Sequence, residues 1–152
     1  MITTTNVDMT PGTADGGSDA LAALHVRTVD TLTGYAKMVE KAEPGFRDIA
    51  EEFRALHARH ADQLARMLIA SGRESDPAGS FMGTVNRTVI ATRAFFDQID
   101  ADLLTSIHDG EQHVMTAFAT ALEHSPTAEN TIRLSEMRDE LAALLARHQP
   151  TA

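Results

Sequence analysis

Cysteine and tryptophan are absent from this chain, and tyrosine occurs once in 152 residues. Without cysteine there can be no disulfide, no thiolate metal site and no cysteine nucleophile. Aromatic residues make up only 5% of the chain. Such a shortage, with abundant Ala, Leu, Glu and Arg, favours helix over strand. Long apolar runs are missing too, so nothing reads as a membrane span, which takes about 18 or more consecutive apolar residues. Basic residues are outnumbered by acidic ones, 13 against 22, for a net charge of −9. A surface of that sign repels phosphate backbones and anionic lipid, so neither nucleic acid nor membrane is an expected partner. The residues before Asp19 include no Lys, no Arg and no apolar run. They are not a secretory signal, and the expected location is the cytoplasm.

What the chain does have is apolar residues at helical spacing. The length suits one domain, able to bury about two-thirds of its unfolded surface without a staple. Residues 1–17, rich in Thr, Gly and Asp, read as a disordered tail, and residues 18–149 as the folded domain. A first helix is expected from a Ser18 or Asp19 cap to about Ala42, with the stripe Leu21, Leu24, Leu32, Tyr35 and Val39. Glu43-Pro44-Gly45 interrupts it, Pro44 suiting the first turn of the next helix. The second runs from about Phe46 to Ser71 on the stripe Phe46, Ile49, Phe53, Leu56, Leu64 and Met67. Gly72 fits a left-handed cap behind it. Turn residues fill much of Arg73–Ser80. A shorter helix is expected near Phe81–Phe96. A third long helix follows, capped by Asp100 or Asp102 and running to about His124, with Leu104, Ile107, Val114, Phe118 and Leu122 on one face. After Ser125-Pro126 a fourth runs to about His148 on Leu134, Met137, Leu141, Leu144 and Leu145.

The loop lengths then suggest a topology. Tight turns make the first and last pairs of helices antiparallel hairpins. The segment between the hairpins holds a helix of ~15 residues, about 22 Å at 1.5 Å per residue, most of the length of a bundle. The expected fold is therefore all-α: a ferritin-like four-helix bundle, two antiparallel hairpins joined by a long crossover containing a short fifth helix. An up-down bundle with an extra helix is the alternative.

That fold raises the question of a di-metal site. Such a site takes one Glu from each of two helices and Glu-x-x-His from each of the others. No Glu of this chain has His three residues on; Glu51 has Arg54, Glu52 has Ala55, Glu111 has Val114 and Glu140 has Ala143. The standard motif is thus absent. Polar residues do interrupt the stripes: His25 in the first helix, His60 in the second, Glu111 in the third. Counting from the turn at Glu43-Pro44 between the first and second helices, His25 and His60 fall about two residues apart in height, ~3 Å along the axis. They can meet inside, sharing a hydrogen bond or a metal such as zinc, or each can be a core histidine bonded to backbone or water. His57 and His60 form an i, i+3 pair capable of chelation, with His57 equally suited to the bundle edge. His108 and Glu111 share a face as the best carboxylate–imidazole pair. Tyr35 falls at the height of Glu111, and a structural Tyr35–Glu111 hydrogen bond is the favoured reading of that Glu. Gly34 and Gly110 sit mid-helix, where they can mark close helix approach.

Gly34-Tyr35, Leu64, Gly72, Gly79-Ser80, Gly83 with Arg87, and Gly110-Glu111, taken in order, resemble a bacterial ferritin-like four-helix-bundle family whose members mostly carry a domain of unknown function. The resemblance covers roughly Leu21–Leu122. Members carry His-Arg where this chain has Asn86-Arg87, and Arg and Phe at the positions of His57 and His60. The resemblance implies a ferritin-like fold and a dimeric or higher assembly, and no particular activity.

The functional expectation is a non-catalytic bundle that works through self-association, as a homo-oligomer such as a dimer, or through a protein partner, with no cofactor. The alternative is a divergent binder of a divalent metal ion (iron, manganese or zinc), possibly an oxidoreductase, drawing on Glu111, His108, His60, His57 and His25.

Overall fold

A computed structural model describes residues 12–72 and 103–150 of the chain. Among these residues there are four α-helices and no strand. They are α1 (Gly12–Lys41), α2 (Pro44–Ala70), α3 (Leu104–Glu123) and α4 (Ala128–Arg147). The expected helix at 81–96, the Asp100 or Asp102 cap, and the positions Gly79, Ser80, Gly83, Asn86 and Arg87 lie outside the described residues.

The ends of the helices follow from local chemistry. Pro44 stands in the first turn of α2, where a missing N–H costs nothing. Behind α2, Gly72 takes φ +84°, and its N–H donates to the Ile69 carbonyl 3.0 Å away. Thr127 caps α4: its hydroxyl accepts from the Asn130 N–H at 3.1 Å. The start of α1 differs from expectation, since the helix begins at Gly12 and not at Ser18. Packing explains why the helix continues upstream. Gly17 is buried against the α3–α4 turn, so close that an added Cβ would lie 2.5 Å from the His124 carbonyl oxygen. Tertiary contact there outweighs the poor helix propensity of Gly16 and Gly17.

Each helix contributes one stripe to a single core. Leu24, Phe53, Leu64, Val114, Phe118 and Leu141 are at its centre. Leu32, Val39, Ile49 and Leu122, expected on the stripes, are only half-buried, while Thr28 and Val29 of α1 are buried. Thr28 satisfies its hydroxyl by donating to the Leu24 carbonyl, 2.8 Å away.

Contacts give the helix directions. The two-residue turn Ala42–Glu43 makes α1 and α2 antiparallel. Gly17 meets His124 and Tyr35 meets Glu111, so α1 and α3 are antiparallel as well. Glu52 pairs with Arg147 and Arg59 with Glu140, which orients α4 against α2. Every neighbouring pair around the bundle therefore runs in opposite directions. It follows that α2 and α3 run the same way, and Gly72 and Leu103 lie at opposite ends.

Candidate functional site

A buried polar cluster sits where α1, α2 and α3 meet. Its centre is Glu111, 1% exposed among the apolar residues Ile107 and Val114 of α3. Tyr35 of α1 donates its hydroxyl proton to Glu111 Oε1 at 2.6 Å. His57 of α2 donates from Nε2 to the same oxygen at 2.8 Å. A carboxylate has no proton to give, so the imidazole must carry its proton on Nε2. Two donors thus converge on one oxygen. Glu111 Oε2 and His57 Nδ1 are both buried and make no hydrogen bond among the described residues.

Rings hold this cluster in place. Tyr35 stacks on Phe53, centroids 5.2 Å apart, and on His57 at 5.5 Å. His57 in turn meets the edge of His60, which meets the edge of Phe118. At the other end His148 tilts against Phe53. The stack spaces its α2 members at three and four residues, one per turn, which keeps Phe53, His57 and His60 on one inward face. His57, which by sequence suits either a chelating pair with His60 or the bundle edge, is fully buried.

Electrostatics follow from burial. Desolvation pushes the Tyr35 hydroxyl well above its ordinary value of 10.0, and the charge and hydrogen bond of Glu111 push the same way. His60 is lowered from 6.5 to about 4, first by burial and then by His57 beside it, with Glu140 partly opposing. Its ring is therefore neutral near pH 7. Glu140 Oε1 stands 3.5 Å from His60 Nε2, too long for a hydrogen bond to a neutral ring. That contact places the exposed Glu140 of α4 at the edge of His60, a neighbour for which the sequence pattern of α4 held no sign.

The structure brings Tyr35 and Glu111 together. It does not pair Glu111 with His108. The His108 ring instead donates from Nε2 to the backbone oxygen of His148 at 2.7 Å, tying α3 to the end of α4. His25 is half-buried on α1, beside the inward Leu24 and Thr28, and burial lowers its pKa from 6.5. The rings that pack on His60 are His57, from one turn earlier on the same helix, and Phe118 of α3. Among the described residues, no group of three or more His, Asp or Glu side chains is arranged to hold one metal ion.

Gly34 and Gly110 do not serve close approach of the described helices either. A Cβ added to either would find nothing within 4 Å among the described residues. Both instead line an open cavity of about 340 Å³ between α1 and α3, which Tyr35 and Glu111 also line.

Residues 17–124 match the family model described as "Domain of unknown function (DUF2383)". The chain belongs to this family. The match takes in α2 and α3 whole and most of α1, hence all three members of the polar cluster, and stops at the turn before α4. None of the curated proteins matches the chain. Among solved structures, the DUF2383 chain is similar to a conserved hypothetical protein, rv2844, from Mycobacterium tuberculosis. The TM-score is 0.68 at 19% identity, over 88% of this chain and 87% of that one. At that identity the likeness speaks for a shared fold. As for the membrane, none of the described helices of the DUF2383 chain is long and apolar enough to cross one.

Proposed function

We propose that this protein is a non-catalytic bundle of ferritin-like wiring that works by self-association, most simply as a dimer in the cytoplasm. The wiring is supported by the antiparallel neighbours and by α2 and α3 running in the same direction, which suits two hairpins joined by a long crossover. Self-association rests on one observation. Ile69 near the end of α2 and Ile132 near the start of α4 are 61% and 59% exposed, at the same end of two adjacent helices. Large apolar side chains left so open on neighbouring elements suit a docking face between copies. The interior supports the non-catalytic part: the donors of Tyr35 and His57 are both engaged by a single Glu111 oxygen.

Light scattering on the untagged chain over a range of concentrations tests the reading. The wild type should be dimeric or larger, and Ile69→Glu with Ile132→Glu should be monomeric with unchanged helicity. A wild type that stays monomeric throughout removes it. The competing reading, a divalent metal held by Glu111 with His57 or other candidates, is separated by the Fe, Mn and Zn content per chain of protein purified from cells. One equivalent of metal, lost in Glu111→Gln, would favour the metal.

A further inference from the structure

We propose that the end of the bundle where α2 stops and α4 starts binds a small neutral alcohol. Its alkyl chain lies between Met67 and Ala70 on one side and Pro126 and Leu134 on the other, with its hydroxyl on Ser71. A cavity of about 390 Å³ is found there, and all four helices contribute to its walls. That volume is within the usual range of ligand pockets, about 300–1,000 Å³. An apolar cavity of about 150 Å³ is already enough to bind benzene, so this one has room for a short alkyl chain.

The cavity follows from the sizes of the residues around it. Further in, Leu64 and Phe118 fill the core completely. At this end α1 presents Gly17, α2 ends on Ala70 and Ser71, and α3 presents Ala121. Small residues of three helices thus face one another, where a packed core sets large against small. Gly17 is itself needed small. An added Cβ would lie 2.5 Å from the His124 carbonyl oxygen and 3.4 Å from Pro126 Cδ. The accessible lining is mainly apolar, and Met67 supplies a flexible wall that adapts to what it meets.

The polar groups at the rim select the head of the ligand. Ser71 Oγ gives its proton to the Leu68 carbonyl at 2.7 Å. Ser125 Oγ gives its own to the Thr127 carbonyl at 3.2 Å. Each hydroxyl is left as an acceptor, so the ligand should donate. Charge adds nothing for an ion. Glu129 at the rim is already paired with Arg133 at 3.0 Å. Helix ends of both signs border the cavity, the C-termini of α2 and α3 and the N-terminus of α4, so neither sign is strongly favoured. An ionised head would lose its hydration among mainly apolar walls without a free counter-charge on Glu129. A neutral donor, the hydroxyl, has no such cost. The site does not use Ile69 or Ile132, so it stands whether or not copies of the chain associate.

The test is an NMR titration of the full ¹⁵N-labelled chain with 1-hexanol, hexanoate and hexylammonium in turn. Saturable shifts with 1-hexanol should appear at the amides of Gly17, Ala121 and Asn130, on three different helices. The alcohol should bind at least tenfold more tightly than either ion. Ala70 and Ser71 are exposed, so both can be changed with the helical circular dichroism kept. Ala70→Phe narrows the cavity and should weaken binding of 1-hexanol at least tenfold. Ser71→Ala removes the acceptor and should weaken it severalfold. No saturable shift at this end of the bundle, equal binding of either ion, or undiminished binding in both variants would each overturn the proposal.

Discussion

Tyr35 is the single tyrosine of the chain, and it is locked between two rings and a carboxylate. Its replacement by Phe keeps the ring and removes one donor from the buried Glu111. Loss of a hydrogen bond to a buried charged group costs about 2 kcal/mol, so Tyr35→Phe should lower the unfolding free energy by that order. The same substitution in a Glu111→Leu background should cost less than half as much, because no buried acceptor is then left short. Urea unfolding of the four proteins measures this coupling, and additive costs would mean that the hydrogen bond contributes little.

The same cluster sets a pH window on both sides. His60 has a folded pKa of about 4 against 6.5 in the unfolded chain. Below 6.5 the unfolded state takes up a proton that the folded state refuses. Stability is therefore full above pH 6.5 and declines as pH falls toward 4, by up to about 3 kcal/mol. His60→Leu should flatten that slope in urea melts, whereas an unchanged slope would assign it to other groups. On the alkaline side Tyr35 is raised above 10.0, so its contribution is present below pH 10 and is lost as pH rises past it. With one tyrosine and no tryptophan, the tyrosinate absorbance band reports Tyr35 alone. It should grow in together with loss of helical circular dichroism, and not at lower pH in the folded protein.

At the scale of the helices, the glycines separate by what surrounds them. Among the described residues nothing lies within 4 Å of a Cβ added at Gly34 or Gly110, so Gly34→Ala and Gly110→Ala should each stabilise the fold by up to about 1 kcal/mol. Gly17→Ala meets a backbone oxygen at 2.5 Å and should destabilise despite the better helix propensity. Thermal melts of the three variants would show two upward shifts and one downward. The contrast also shows how far the sequence was readable. Helical periodicity is enough to locate Leu134, Met137, Leu141, Leu144 and Leu145 on the inner face of α4, all of them buried. Counting residues from the turn is enough to put Tyr35 level with Glu111, because rise per residue is constant along a helix. Rotation about the helix axis is less legible. A residue next to a stripe can fall either side of it, which is why the sequence leaves His57 open between a chelating pair with His60 and the bundle edge, and puts Leu32 in the core. Nor does a mid-helix glycine announce whether it admits a neighbouring helix or leaves a cavity. The resemblance offered a hint about His57, since Arg at its position is also a donor that a buried carboxylate can use.

For the molecule as a whole, the direction of α3 relative to α2 distinguishes the two topologies that the sequence leaves open. The loop lengths favour a return of the chain along the bundle, but an up-down bundle has the same four stripes and much the same composition. The contacts of α1 with α3 and of α2 with α4 make α2 and α3 run in the same direction. Ala70 and Thr105 then belong to opposite ends, separated by the better part of α3, which is about 30 Å long at 1.5 Å per residue. In an up-down bundle both positions would lie at the same end, within about one or two helix diameters of 10–12 Å. Both side chains are exposed, and the chain has no cysteine of its own. Ala70→Cys with Thr105→Cys can therefore be spin-labelled at those two places only. Dipolar electron resonance on doubly labelled chains (diluted with unlabelled protein to suppress contacts between copies) should give a distance near the longer value, and a dominant short distance would restore the up-down bundle.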